Sequence, residues 1–284
     1  MTQDDVKKKV LEGILDVSLR NRVDWITTKL NPCKDDVVFD SGCGDGYYAG
    51  LLAEKWGAHI IGLEFDRDSL KRAQANTEGV SDQIDFVHGD AVNLPFKSGV
   101  FNKCIKTEVL EHIPDDTGAL HELRRVMAAR GAVAITVPNA SYPFLWDPLN
   151  WLREHAGLGH FSSERHILGG IWTGHVRLYK EKELHNRLSE AGFTISHLER
   201  LTGLSFPFNH NILVIVKAIL DSRWKKRGSQ SGYGRFTPTP SGFSIIGIAN
   251  SLIGIIWRFD RHRSPGRSVN LMALIIAPPK EDQL

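Results

Sequence analysis

Cysteine is scarce in this chain of 284 residues. Cys33, Cys43 and Cys104 form no C-x-x-C pair and no even framework, which excludes a disulfide scaffold and points to free thiols in a reducing compartment. No stretch reaches the roughly 18 uninterrupted apolar residues of a membrane-spanning helix. The residues Met1–Lys9 lack an apolar signal core, so the expectation is a cytoplasmic protein. No internal repeat is present, which sets aside solenoids and propellers. Metal-ligand spacing is also missing. His155, His160, His166 and His175 lie five, six and nine residues apart, which fits no zinc pattern, and the reading is that no metal is bound. A net charge of +2 excludes little by itself, but its distribution is uneven: Gly203–Ser268 carries ten basic residues against two acidic ones. Such asymmetry points to an anionic partner for that segment.

The informative part of the chain begins at Val37. The apolar run Val37-Val38-Phe39 reads as a buried strand and leads into Asp40. Next comes a turn with glycine at every second position, Gly42-Cys43-Gly44-Asp45-Gly46, and then the helix-like Tyr47–Trp56. Strand, glycine turn and helix is how an α/β fold brings its backbone close to a nucleotide-like ligand. The dinucleotide fingerprint G-x-G-x-x-G would place its third glycine at position 47, where Tyr47 stands. The pattern here is D-x-G-x-G-x-G.

The rest of the chain alternates. Residues 4–30 predict one or two amphipathic helices, stopped by Asn31-Pro32. Strands are expected near 37–40, 59–64, 84–88, 101–107 and 132–137, with helices at 46–56, 68–76 and 116–128. The helix at 68–76 should be capped near Gly79. A helix at 180–191 capped by Gly192, a strand near 193–200 and a buried strand at 269–277 close the pattern. Regular strand–helix alternation implies an α/β doubly wound parallel sheet. Residues 139–178 break the rhythm. They show little periodicity, and a stretch of this length usually serves as a lid or binding loop.

From Asp40–Gly46 onward, the order of acids and strand ends resembles the class I S-adenosylmethionine (SAM)-dependent methyltransferases. Glu64 ends the second strand, where an acid would meet the ribose hydroxyls; Phe65 comes next, and Asp66 is the alternative acid. Asp90 and Ala91 come after the third strand, at the family's adenine-contacting position. Thr107-Glu108-Val-Leu-Glu111-His112-Ile-Pro-Asp115 resembles the "EVLEH-(I/V)-P-D" signature of members that act on small molecules, quinones and lipids. Gly174-His175-x-Arg177 and Ala191-Gly192-Phe193 resemble a second stretch of the same group. The resemblance implies a seven-stranded sheet with its last strand antiparallel. It also implies SAM held by Asp40, Gly42, Cys43, Gly44, Gly46, Glu64, Phe65, Asp90, Ala91, Thr107 and Glu108. Glu111 and His112 would flank the reacting sulfonium, and His175 would act as general base for a hydroxyl acceptor. The N-P-P-Y motif of nucleic-acid amino-methyltransferases and a Pro-Cys nucleophile are absent, which disfavours nucleic acid as acceptor.

The expected organisation is an N-terminal helical segment (1–32), a SAM-binding core (33–202) with its lid, a basic apolar insertion (203–268), and a final strand and tail (269–284). Ile212–Leu220 and Phe243–Trp257 are apolar stretches that end near Trp and clusters of Lys and Arg. Apolar face, aromatic edge and cationic flank describe a helix lying in a membrane interface. A packed helical lid or a homodimer contact is the competing reading, because Ser244, Gly247, Ser251 and Gly254 form a small-residue stripe. The functional expectation is methyl transfer to a hydrophobic or lipid-linked acceptor, such as a quinone precursor or a polyprenyl or glycolipid head group, at an anionic membrane face. RNA or protein methylation, or SAM binding without catalysis, are the alternatives.

Overall fold

The computed structural model describes residues 2–14, 16–161, 169–203, 254–260 and 266–279. Two helices open the chain, α1 (Gln3–Gly13) and α2 (Val17–Leu30). Thr2 closes a capping box on α1 with Asp5, and the Asp16 side chain caps α2 by accepting from the amides of Ser18 and Leu19. The alternating region runs through β1 (Val37–Ser41), α3 (Tyr47–Trp56), β2 (His59–Glu64), α4 (Arg67–Asn76), β3 (Ile84–His88) and β4 (Phe101–Thr107). Then come α5 (Asp116–Val126), β5 (Met127–Pro138), α6 (Pro148–His155), α7 (Glu181–Glu190), β6 (Thr194–Leu201) and β7 (Asn270–Ile276).

The seven strands form one sheet in the order β3-β2-β1-β4-β5-β7-β6. Pairing is parallel from β3 to β5, and β7 runs antiparallel to both β5 and β6. The expected doubly wound sheet with an antiparallel last strand is what the chain forms. Successive strand residues face opposite sides of a sheet, and the two cores obey that rule. Val38, Ile60, Ile105, Ala134 and Met272 pack with Val23 and Ile26 of α2 and Leu52 of α3. Their neighbours Phe39, Cys104, Val133, Ile135 and Leu271 pack on the other face with Leu120 and Leu123 of α5 and Leu184 and Leu188 of α7. Each such fully buried aliphatic side chain contributes about 1.5–3 kcal/mol.

Four details depart from the expected boundaries. Helix α4 ends at Asn76 with Thr77 as its C-cap, and Gly79 lies inside a 3-10 segment, Glu78–Gln83, rather than acting as the cap. Helix α5 stops at Val126, and β5 begins at Met127, five residues before the expected start. A register shift against β4 between Phe101 and Lys103 absorbs the extra length. The 139–178 stretch contains a helix, α6, whose start was written in the sequence. Asp147 is its N-cap, accepting from the Asn150 amide, and Pro148 occupies its first turn, where a missing N–H costs nothing.

The apolar stretch 212–220 and residues 243–253 of the second stretch lie outside the described residues. Residues 254–260 are helical and dock on α2. Asp260 accepts from Asn21 Nδ2 at 2.8 Å and from the Gly203 amide at 2.8 Å.

Candidate active site

The parallel strands place the singled-out residues at one level. Asp40 pairs with Gly62 and Ile105, Ser41 with Leu63, Glu64 with His88, and Thr107 with Thr136. The loops leaving β1, β2, β3 and β4 therefore open at the same carboxyl edge of the sheet, where open α/β folds bind ligands.

The glycine turn is shaped by two tight fits. Gly42 has φ +91°, and a Cβ there would sit 2.6 Å from Val109 Cγ2. Gly46 caps α3 at φ +80°, and a Cβ there would meet Ala73 Cβ at 3.0 Å. Only glycine meets both demands without strain. Gly44 has open space beside it, with nothing within 4 Å of a Cβ. Its amide donates to Glu64 Oε2 at 2.8 Å, and Glu64 Oε1 accepts from the Phe65 and Asp66 amides at 2.9 Å each. Three backbone donors thus fix the Glu64 carboxylate and leave one lone pair on Oε2 for a ligand. Phe65 is 68% exposed, an apolar ring presented beside that carboxylate. Asp66 caps α4 through the Ser69 amide, which accounts for it structurally. Cys43 is buried, with its sulfur against Gly62, and burial pushes its thiol pKa well up.

Asp90 is exposed and closes a small turn by accepting from the Val92 amide at 3.0 Å, with Ala91 buried beneath it. Thr107 is buried at the end of β4. Glu108 takes φ +54°, and its carboxylate is held by Thr136 Oγ1 at 2.8 Å, Asn270 Nδ2 at 3.3 Å and Arg22 at 3.4 Å. Its side chain therefore ties β4 to β5, β7 and α2.

Beneath the turn lie two buried charged groups. Asp40 is 1% exposed, and its Oδ2 has no hydrogen-bond partner among the described residues. Desolvation, reinforced by the nearby Glu64, pushes its pKa up to about 7. Lys106 is equally buried and donates to Ser41 Oγ at 3.1 Å; burial holds its pKa down to about 8. A raised pKa at Asp40 means the folded chain binds more protons than the unfolded one between about pH 4 and 7, so this group's stabilising contribution is lost as pH rises through that window. Asp40→Asn removes the dependence. The unliganded variant is expected to gain stability over wild type from pH 4 to 7, by on the order of 3–4 kcal/mol, with no further gain above. Denaturant unfolding of both proteins across that range measures it.

The segment after β4 meets the residues that precede α7. The Val176 amide donates to the Glu111 carbonyl at 2.9 Å, and Arg177 donates to the carbonyls of Ile113 and Pro114 at 3.0 and 2.7 Å. This brings Glu111, His112 and His175 together across 64 residues of sequence. Burial first, and Glu108 second, raise the Glu111 pKa well above the carboxylate range.

Three groups escaped sequence reasoning. Arg22 on α2 carried no signal in its own segment. Tyr48, on α3, places a buried hydroxyl near Arg22, with no hydrogen-bond partner among the described residues. Asp116 is buried in contacts with Arg177, Tyr179 and Arg187, and only its place in the chain after Asp115 hinted at more than a helix start.

The donor set suits SAM. Its sulfonium and ammonium are cationic, and Asp40, Glu64, Asp90 and Glu111 bring carboxylates to this region, with Asp40 Oδ2 and both Glu111 oxygens lacking a hydrogen-bond partner among the described residues. Gly44 leaves room for close backbone approach.

Comparison with known proteins agrees. Residues 39–135 match the protein-family model described as a methyltransferase domain. A sterol 24-C-methyltransferase of Pneumocystis carinii (strain B80) is 31% identical over 176 residues, covering 61% of this chain and 43% of that protein. A demethylmenaquinone methyltransferase of Staphylococcus epidermidis is 28% identical over 192 residues, 67% of this chain and 74% of that one. Among solved structures, a SAM-dependent methyltransferase from Mesorhizobium loti superposes with a TM-score of 0.55 at 15% identity, over 92% of this chain and all of the other. That last likeness speaks for the fold alone. The chain spans less than half the length of the sterol relative, and 36% of a Streptomyces halstedii methyltransferase.

Proposed function

We propose that this chain, which carries a class I SAM-dependent methyltransferase domain, transfers the methyl group of SAM to a hydrophobic or lipid-linked acceptor. One observation carries the reading. The carboxyl edge of the sheet collects the glycine turn, the fixed Glu64 carboxylate and Asp90, and the segment leaving β4 there carries the Glu111–His112–His175 cluster. Bound there, SAM supplies an electrophilic methyl group. Glu64 holds the ribose, Asp90 and Ala91 meet the adenine, and Phe65 covers it. The backbone at Thr107 and Glu108 meets the methionine end. The acceptor lies beside Glu111, His112 and His175, which orient it and receive its proton where it carries one. Orientation of two partners is the main contribution the protein makes.

A lipid-like acceptor is supported by the lid. Phe144, Leu145, Leu149, Leu152 and Leu158 are all exposed. Leu149 and Leu152 fall one turn apart on α6, and Arg267 lies 5.4 Å over the Trp151 ring of the same helix. Exposed leucines beside an aromatic–cation pair suit the headgroup boundary of an anionic membrane. No described helix is long and apolar enough to cross a membrane. The relatives named for sterol and menaquinone substrates point the same way.

The test is transfer of labelled methyl from SAM. Label is expected in the organic extract when quinone precursors or polyprenyl head groups are offered in anionic vesicles, at a higher rate than in neutral ones. Label recovered in RNA or protein instead would overturn the acceptor class.

A further inference from the structure

The cluster at the acceptor end has a chemistry of its own. Glu111 is 0% exposed, and neither carboxylate oxygen has a hydrogen bond among the described residues. A carboxylate buried without a donor is costly unless a cation or a proton compensates it. Its Oε1 lies 3.9 Å from His112 Nε2 and 3.9 Å from His175 Nε2. One ligand atom from each of the three residues falls within 4.8 Å of the others.

The His112 tautomer is set from behind. Its Nδ1 lies 2.7 Å from the Gly174 carbonyl oxygen. A carbonyl only accepts, so Nδ1 carries a proton, and in the neutral ring the lone pair falls on Nε2, the atom facing Glu111. Metal-ligating histidines are held in this way, with the second ring nitrogen bonded to a carbonyl or carboxylate. The lid backbone is pinned independently by the Val176–Glu111 bond, so the constellation does not depend on side chains alone.

We infer that Glu111, His112 and His175 form a site for one divalent transition-metal ion at the acceptor end of the pocket. Two imidazoles and a carboxylate favour zinc, iron or cobalt over magnesium and calcium, which prefer oxygen ligands throughout. Bonds of roughly 2.0–2.2 Å put tetrahedral ligand atoms about 3.4 Å apart. Closing each 3.9 Å separation takes about 0.5 Å, a small side-chain rotation. Three protein ligands leave a position for the acceptor's oxygen or nitrogen. An ion there lowers the acceptor's pKa. With the ion bound, the three side chains are ligands and no longer take the acceptor's proton: it leaves to water, the acceptor's lone pair forms the bond to the methyl carbon, and the carbon–sulfur pair stays on sulfur. That role rests on the methyl-transfer reading; the metal site does not.

The test uses the full chain, stripped of metal and free of SAM, titrated with zinc chloride by calorimetry and with cobalt(II) by visible absorption. The expected result is one ion per chain with micromolar or tighter affinity, and cobalt ligand-field bands of a four- or five-coordinate site. His112→Ala, His175→Ala and Glu111→Gln should each weaken binding at least tenfold. His155→Ala and His160→Ala, whose rings stack on Trp151 and Trp172 instead, should leave it unchanged. Circular dichroism verifies that each variant is folded, and Glu111→Gln keeps the shape of the site should an alanine variant fail. Absence of stoichiometric binding by folded wild type overturns the inference, as does binding retained by the His112→Ala/His175→Ala double variant. With no SAM in the cell, either result leaves the methyl-donor site untouched. Loss of SAM binding would equally leave the zinc isotherm in place.

Discussion

Glu64→Ala will weaken SAM binding by about 100-fold or more while leaving the chain folded. Charge-assisted hydrogen bonds of this kind are worth roughly 1.5–3 kcal/mol each, and about 2.8 kcal/mol is 100-fold in affinity. Two losses combine. The ribose loses its acceptor, because the free lone pair on Oε2 is the one the three amides leave over. The turn also loses its strut, since the Gly44 amide, 20 residues away in sequence, is fixed to β2 through this carboxylate. The Phe65 and Asp66 amides are exposed and regain water, so the stability cost stays modest. Glu64→Gln separates the two losses. The amide oxygen can still accept from Phe65 and Asp66, but its NH2 then faces the Gly44 N–H, and the turn is released. Calorimetry with SAM measures affinity, and thermal unfolding without ligand measures the fold. Unchanged affinity in Glu64→Ala would remove this carboxylate from the SAM site and with it the main support for the ligand's orientation.

The glycine turn and Glu64 were legible in the sequence because their constraint is local. A backbone that must turn at φ +91° with Val109 pressed against it admits only glycine, and an acid ending the neighbouring parallel strand lands at the same level by register. The sheet was legible for a similar reason: strand residues alternate between two cores, so the apolar runs announce themselves. Helix α6 was missed although Asp147-Pro148 marks its start, because a helix of 8 residues shows too few turns for periodicity to stand out. The acceptor end was legible only in pieces. Histidine spacing spoke against a metal because spacing is informative when ligands share one element, whereas Glu111 and His112 meet His175 by way of the lid's return to β4. Arg22 had no legible role, since its partner Glu108 is 86 positions further along the sequence and faces it only once α2 lies on the sheet.

Asp116→Ala is expected to cost about 3–5 kcal/mol, the range for removing one partner from a buried charge network. Asp116 is 2% exposed at the start of α5. Its Oδ2 accepts from Tyr179 Oη at 2.6 Å and pairs with Arg177 at 2.8 Å, and its Oδ1 accepts from Arg187 at 2.7 Å. One carboxylate thus joins α5, the end of the lid and α7. Truncation removes the shared carboxylate partner of two guanidinium groups, and the Arg187 Nε already lacks a partner among the described residues. At roughly 2–4 °C per kcal/mol for a chain of this size, the midpoint should fall by about 10 °C. Tyr179→Phe removes a single hydrogen bond to the same carboxylate and should cost only about 1–2 kcal/mol.

The functional consequence should be one-sided. Arg177 lies two residues beyond His175 and holds the lid to Ile113 and Pro114, whereas the glycine turn and Glu64 make no contact with Asp116. Below the melting transition, Asp116→Ala is therefore expected to lower turnover while SAM affinity stays within about twofold, a difference of under 0.5 kcal/mol. Thermal unfolding, SAM calorimetry and labelled-methyl transfer on the same preparation separate these effects. A variant that loses SAM affinity as steeply as turnover would mean the network supports the whole carboxyl edge of the sheet. One that loses stability and turnover alone would place its action on the side of the Glu111–His112–His175 cluster, where we propose the acceptor binds.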